Sequence, residues 1–360
     1  MATIAPLRPL PAHTQPGAVQ GLDRRLGTRH ARTAPQRGRN PTTDPLLRHM
    51  LAAVSGPGPL PAMIAEHLGS GGKRVRARLI QQAGEALGLE AERLQPWAAA
   101  CEILHNATLV HDDVQDGDAM RRGQPALWVR HGLAQAINAG DLMLLAPIRA
   151  LDVPGYAPIE RWELTRALVE RSILTACGQS QEQLLILQPA VNWLDYEQAA
   201  RAKTGPFFAL ALEGVLILAG WSGPAARRAS EGLLDLGLLF QLADDIEDLW
   251  GQKGREAPGA DLREGKVSAL VAATLDRDPQ RGAELLAWLR LPRPQHTDEQ
   301  VLAWTDEFVQ SGARDAVLER CERCLRDLPK QCATLPHALQ ELVGGLAAGL
   351  SHKLAQLRGH

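Results

Sequence analysis

At 360 residues, with 45% hydrophobic and 22% charged residues, the chain is long enough to bury a large core in one big domain or two smaller ones. A formal net charge of −2 argues against a global basic field for nucleic acid or an anionic membrane, so any anion site must be a local cluster. Apolar runs long enough to span a bilayer, about 18 residues, are missing. The five cysteines are odd in number and irregularly spaced, which argues against a disulfide framework.

Residues 1–43 carry Pro6, Pro9, Pro11, Pro16 and Pro35, seven arginines and a single acid, Asp23. Without apolar periodicity this reads as a disordered basic tail. Its Arg-rich, acid-poor composition also resembles an organelle transit peptide, and a misassigned start codon gives the same pattern. The stretch lacks the apolar core of a secretory signal, so a reducing cytosol is the expected compartment.

From Asp44 the pattern turns helical. Leu46, Leu47, Met50 and Val54 share a face, Gly56 to Pro59 interrupts the chain, and Leu60, Ile64 and Leu68 start again. Gly71-Gly72 precedes a basic helix, and a long helix is predicted over 92–116. Further helices are predicted over 133–150, 158–187, 194–219, 225–250, 266–290, 297–309, 313–328 and 334–355. Two of these are apolar but hold charges (Glu213, Asp235), as buried helices do and membrane spans seldom do. Long alternating β-segments and repeats are missing. The expected architecture is all-α, an orthogonal helical bundle over residues 44–360 with the tail outside it. Cys321, Cys324, Cys332 and His337 form a weak zinc pattern, for which ordinary helix packing is the simpler reading.

The strongest chemical signal is His111-Asp112-Asp113-Val114-Gln115-Asp116. Asp112 and Asp116 lie about 400° apart on a helix, nearly on one face, with Asp113 beside them. Asp244-Asp245-Ile246-Glu247-Asp248 repeats the spacing. Acids grouped this closely repel one another unless a cation compensates them, and hard carboxylate oxygens favour magnesium shared with phosphate. Basic groups match them. Gly71-Gly72-Lys73-Arg74-Val75-Arg76 opens a helix with free N–H groups, and a turn at Arg121-Arg122-Gly123 would carry guanidinium forks back over the site. Lys203-Thr204 and Lys266 lie near the second acid cluster in sequence. Gln241 precedes Asp245 by one turn, and His105 precedes Asp112 by two. Solvated helix ends, or a packed core histidine at 105, are the bland alternatives, and the ordered combination argues against them.

These motifs, with Gly140-Asp141 and Phe240 to Asp248, resemble the trans-isoprenyl diphosphate synthase (polyprenyl synthetase) family, geranylgeranyl diphosphate synthases in particular, over most of residues 44–350. The resemblance implies the isoprenoid synthase fold, a large helical bundle with a central cavity, and a homodimer. It implies three magnesium ions held with the allylic diphosphate by Asp112, Asp113, Asp116, Asp244, Asp245 and Asp248. It places Lys73, Arg76, His105 and Arg122 around isopentenyl diphosphate. Arg121, Lys203 and Lys266 would then contact the allylic diphosphate, supported by Thr204 and Gln241. The implied reaction is ionisation of the allylic substrate, attack by the isopentenyl double bond, and proton loss. Departures from the family pattern are Ala77 where proline is usual, a lengthened 254–261 segment with arginine for lysine, and Gln181-Glu182 after Gly178-Gln179.

The product tail is expected along the helix upstream of Asp112. Ala107 and Thr108 stand where short-chain members often carry aromatic stops, with Leu104, Ile103, Cys101 and Ala100 further down. Phe207, Phe208 or Trp97 would close the chamber. The expectation is a product longer than farnesyl diphosphate, geranylgeranyl diphosphate being preferred. Two alternatives share the fold: a terpene synthase that ionises and cyclises one allylic diphosphate, and a non-catalytic prenyl diphosphate-binding subunit.

Overall fold

The molecule is built around α4 (Ala91–Asp116), whose residues from Leu94 to Val110 are mostly buried, including Trp97, Ala98, Ala99, Ala100 and Ile103. A helix apolar nearly all round belongs in a core. Gly117, in the left-handed region at φ 69°, stops it and returns its N–H to the Asp113 carbonyl. The first acid cluster therefore occupies the last turns of a buried rod. The computed structural model describes residues 44–251 and 258–358, so the tail 1–43 and the first half of the lengthened 254–261 segment lie outside the described residues.

Around α4 pack α1 (Pro45–Ala53), α3 (Val75–Ala86), α6 (Leu133–Ala150) and α8 (Trp193–Leu218). In turn α7 (Pro158–Leu185) and α10 (Leu233–Trp250) pack on α8, while α2 (Leu60–Gly69) and α5 (Leu127–His131) lie against α6. α9 (Gly223–Ser230) and α11 (Ala260–Arg263) are short links before and after α10. α12 (Ala269–Arg277), α13 (Pro279–Leu289), α14 (Asp298–Gln310), α15 (Ala313–Gln331) and α16 (His337–Arg358) complete the bundle. This is the all-α architecture expected. Glu213 in the apolar stretch of α8 is explained by its ion pair with Arg171 of α7 at 2.8 Å, both side chains 1% exposed. Among the described residues no helix is long and apolar enough to cross a membrane.

The helix predicted over 225–250 is two helices, α9 and α10. The one over 266–290 is also two, because Asp278 leaves helical geometry and caps the N–H groups of Gln280 and Arg281 ahead of Pro279. The turn expected at Arg122-Gly123 is a two-residue hairpin pairing Met120–Arg121 with Gln124–Pro125. Both turn residues have positive φ, as that hairpin class requires.

One crossing positions the site. A Cβ added at Gly237 of α10 would lie 2.3 Å from the Gly205 Cα of α8, so only glycines let these backbones touch. The contact sets Lys203-Thr204 of α8 beside α10, two turns before Asp244. Cys321 and Cys332 of the weak zinc pattern are buried, whereas His337 is exposed and faces Glu341.

Candidate active site

The end of α4, the C-terminal half of α7, the middle of α8 and α10, and the segment around Lys266 enclose a cavity of about 520 Å³. Asp112, Asp116 and Asp244 line it, together with Arg121, Lys203, Thr204, Gln241 and Lys266. The first acid cluster ends α4, where the negative pole of the backbone dipole further disfavours carboxylates, and the second lies in the last two turns of α10. Burial, with Asp116 nearby, raises the Asp112 carboxyl to about 6 although Lys203 opposes the shift. Lys266 reaches Asp116 at 2.7 Å and Glu264 at 2.6 Å. Burial alone would lower the lysine's pKa, but Asp261, Glu264 and Asp116 together hold it well above its usual value. Lys203 is raised in the same way against burial, chiefly by Glu182, with which it pairs.

The other three motif aspartates are not on the cavity lining. Asp113 is 1% exposed and accepts the Arg121 guanidinium, its Oδ1 2.7 Å from Nε. Burial raises its carboxyl to about 6 against that pairing. Asp245, 3% exposed, accepts from Tyr196, Gln241 and the Ala269 N–H. Asp248, 4% exposed, accepts the Asp261 N–H at 3.2 Å, and its carbonyl takes the Gly259 N–H at 2.9 Å. In this way Asp248 ties down the segment that carries Asp261 and Lys266.

A smaller basic pocket of about 190 Å³ adjoins the cavity. It collects Lys73, Arg76, His105 and Arg122, with Arg74, Glu102 and Asn106. Arg74 (φ 46°) and Arg122 (φ 54°), the non-glycine residues with positive φ among those described, both line it. Backbone held in this sparsely populated region costs of order 1–3 kcal/mol at each residue and is a feature of ligand sites. A Cβ at Gly72 (φ 127°) would come 3.0 Å from the Arg122 guanidinium, so glycine is needed both for its backbone and for the packing. Burial, then Arg76, holds the His105 imidazole neutral. Arg76 and His105 line both pockets, and Phe207 stands beside them, its ring centroid 4.9 Å from the Arg76 guanidinium and 5.5 Å from the His105 ring.

The apolar wall of the large cavity is made by Leu104, Thr108, Phe207, Phe208 and Phe240, with Phe208 and Phe240 stacked at 4.6 Å. Of the residues expected at the product pocket, Leu104, Thr108, Phe207 and Phe208 are on this wall. Ala107 and Ile103 are fully buried and do not line the cavity. Ala107 lies one turn before His111, whose ring packs on Gly140 of α6, where an added Cβ would meet it at 2.1 Å. Positions 104 and 108, one turn apart, share the helix face that lines the chamber, and position 107 beside them is 0% exposed.

The polyprenyl synthetase family pattern matches residues 59–305. The chain belongs to the polyprenyl synthetase family. This family member is 34% identical over 284 residues to a geranylgeranyl diphosphate synthase of Mycobacterium tuberculosis, covering 73% of this chain and 78% of that one. It is also 34% identical over 255 residues to a (2E,6E)-farnesyl diphosphate synthase of Mycobacterium bovis, 67% of each chain. A solved polyprenyl synthetase from Streptomyces coelicolor A3(2) superposes at TM-score 0.76 with 27% identity over 85% of this chain and 96% of that one. A polyprenyl synthase from Caulobacter crescentus CB15, solved with calcium and isoprenyl diphosphate, gives 0.71 with 28% identity, covering 85% and 93%. As a member of this family the chain is a prenyltransferase.

Sequence reasoning gave no role to Asp261, Glu182 or Glu264. Asp261 lines the cavity opposite α4, five residues before Lys266, and a carboxylate so close to a cavity lysine was the available signal. The donor set fits magnesium. Asp112, Asp116, Asp244 and Asp261 present hard oxygens to one chamber, and magnesium is usually held by one or two carboxylates plus substrate phosphates rather than by an all-protein cage. Among the described residues no three acidic, histidine or cysteine groups close on one point, so diphosphate oxygens would have to complete the coordination.

Proposed function

We propose that this prenyltransferase condenses isopentenyl diphosphate with an allylic diphosphate to give a linear trans-prenyl diphosphate, with geranylgeranyl diphosphate as the main product. The observation that carries this reading is the pair of joined pockets, one basic and one carboxylate-lined, meeting at Arg76, His105 and Phe207. A cyclase that ionises one allylic diphosphate has no use for the first pocket.

In this reading Lys73, Arg76 and Arg122 bind the isopentenyl diphosphate, and neutral His105 adds a hydrogen bond at the pocket boundary. Asp112, Asp116, Asp244 and Asp261 would hold the magnesium, three ions being the number the family resemblance implies. When bound, magnesium neutralises the diphosphate as its bond to the allylic carbon breaks. Lys203, Lys266 and Arg121 add positive charge on the same leaving group, Thr204 and Gln241 fix the wall behind it, and the phenylalanine wall excludes water from the allylic cation. The isopentenyl double bond then attacks that cation, and the released diphosphate takes the proton.

The small Thr108 at the first layer leaves room beyond a fifteen-carbon chain. Leu144 of α6 lines the cavity yet is 38% exposed, and Leu133, Ile137, Leu145 and Ile148 of α6 and Trp162, Val169 and Ile173 of α7 are exposed around it. We read this apolar face as the homodimer contact, with a second copy covering the chamber floor. Five free cysteines suit the reducing cytoplasm.

The test is product analysis of purified protein with magnesium and geranyl or farnesyl diphosphate, with and without isopentenyl diphosphate. A linear twenty-carbon diphosphate formed only in the paired reaction is expected. A hydrocarbon or alcohol formed without isopentenyl diphosphate overturns condensation in favour of cyclisation.

A further inference from the structure

Asp245 stands in the second acid motif but behaves unlike its neighbour Asp244. It is 3% exposed and off the cavity lining. Its Oδ2 accepts the Tyr196 hydroxyl at 2.6 Å and the Ala269 N–H at 2.7 Å, and its Oδ1 accepts the Gln241 amide at 2.8 Å. A carboxylate offers about four acceptor positions, and three are filled by protein donors. Each donor belongs to a different piece of the chamber. Tyr196, 2% exposed, comes from α8, seven residues before Lys203. Gln241 lines the cavity, and its own carbonyl oxygen accepts the Thr204 hydroxyl at 3.0 Å. Ala269 opens α12, whose N-cap Ser268 makes no side-chain capping bond, so Asp245 supplies that cap from another helix three residues after Lys266.

We propose that Asp245 is a positioning residue rather than a holder of metal, and that with Tyr196 it fixes the wall from which Thr204, Gln241 and Lys266 meet the allylic diphosphate. The inference rests on the prenyl diphosphate reading of the cavity for what that wall touches, but not for the arrangement itself. Removing the Tyr196 hydroxyl loosens α8 against α10. Changing Asp245 loosens α12 as well, and Lys266 and Gln241 then lose their registration with the cavity carboxylates. Displacements of an ångström or less at such groups cost catalysis without abolishing binding.

The experiment compares Tyr196→Phe, Asp245→Asn, the double variant and Asp244→Asn with the wild-type chain. Its readouts are the melting temperature without metal or substrate, the magnesium midpoint for binding inorganic diphosphate by calorimetry, and steady-state kinetics. Tyr196→Phe and Asp245→Asn are expected to melt earlier and to lose about tenfold or more in kcat. Their magnesium midpoint should stay within about twofold of wild type, and so should the KM for isopentenyl diphosphate, which binds in the separate basic pocket. The diphosphate-binding stoichiometry from the same calorimetry gives the folded fraction, and kcat is referred to it, because loss of folded protein alone would lower kcat at unchanged KM. In the Asp245→Asn background the Tyr196→Phe change should have almost no further effect. Asp244→Asn should behave differently toward the metal, shifting the magnesium midpoint about tenfold or more. An Asp245→Asn midpoint displaced as far as that of Asp244→Asn overturns the proposal, and so does a Tyr196→Phe protein with wild-type kcat and melting temperature. If Asp245→Asn does not fold, Tyr196→Phe decides alone. If the wild type makes no prenyl product, the functional reading fails, while the melting and diphosphate-binding measurements still decide the role of Asp245.

Discussion

The ends of α4 and α10 bring the same five-residue acid pattern to one cavity and use it differently. On α4, Asp112 and Asp116 both face the chamber, and Asp113 turns back to Arg121. On α10 only Asp244 faces it, while Asp245 and Asp248 hold α8, α12 and the segment before Lys266. The cause lies in the surroundings. α4 ends at Gly117 ahead of a hairpin, and its last turns present Asp112, Gln115 and Asp116 to the cavity. α10 is flanked by α8, α12, α15 and α16, and its acids meet protein donors instead. The lesson is that spacing selects a helix face, and the neighbours decide which acids on that face are available to a ligand.

The comparison breaks or sharpens under substitution. The largest effects are expected at the cavity-facing acids: Asp112→Asn and Asp244→Asn should each lose about 10³-fold in kcat/KM, roughly 4 kcal/mol of transition-state stabilisation. Steady-state kinetics at saturating magnesium checks this, and a loss under tenfold at either position breaks the pairing of the two helices.

Stability should separate facing from buried acids. Asp113→Asn takes from Arg121 its close partner, leaving Asp118 at 3.6 Å, and should cost about 1–3 kcal/mol in denaturant unfolding. Asp112→Asn should instead stabilise the metal-free protein at neutral pH. Burial raises the Asp112 carboxyl to about 6, so its stabilising contribution is fully present below the unfolded value and is lost as pH rises through 6. The uncharged asparagine escapes that loss.

His67, buried within the field of Arg122, gives a smaller effect of opposite pH sense. Burial, then Arg122 and Arg121, lowers the His67 imidazole to about 3. A depressed histidine contributes stability above its unfolded value near 6.5, and that contribution falls as pH drops toward 3. Between pH 7.5 and 5 the wild type should therefore lose about 2 kcal/mol more than His67→Gln. Parallel denaturant titrations at the two pH values measure the difference, and equal losses would show that His67 is already charged in the fold.

The smallest effect on rate is expected at the chamber wall. Thr108→Phe should shorten the main product by one isoprene unit with little change in kcat/KM. Ala107→Phe should leave product length unchanged and cost about 1–3 kcal/mol by overpacking α4 against α6. Chromatography of the dephosphorylated products distinguishes these outcomes, and shortening by Ala107→Phe alone would move the wall back to the face first expected.

Much of this was legible in sequence because periodicity and charge are local. The long α4, the extents of α6 and α8 and both acid motifs follow from spacing and residue type, whereas the division of the basic residues into two sets is what the family resemblance implies. What was missed depends on partners far away in the chain. Tyr196 is an ordinary aromatic until Asp245 lies 2.6 Å from it, 49 residues on. Asp261 gains its place from the Asp248 carboxylate, and Ala107 differs from Thr108 only through the helix that covers it. The Asp278-Pro279 break was readable but was outweighed by the apolar pattern running across it.

A crystal structure with magnesium and an unreactive allylic diphosphate analogue tests the central claim most directly. The diphosphate should lie between α4 and α10, its metal ions ligated by Asp112 and Asp116 on one side and Asp244 on the other, with Lys203 and Lys266 on its free oxygens. An analogue seated only in the basic pocket, with no ion between the two helices, would contradict the account.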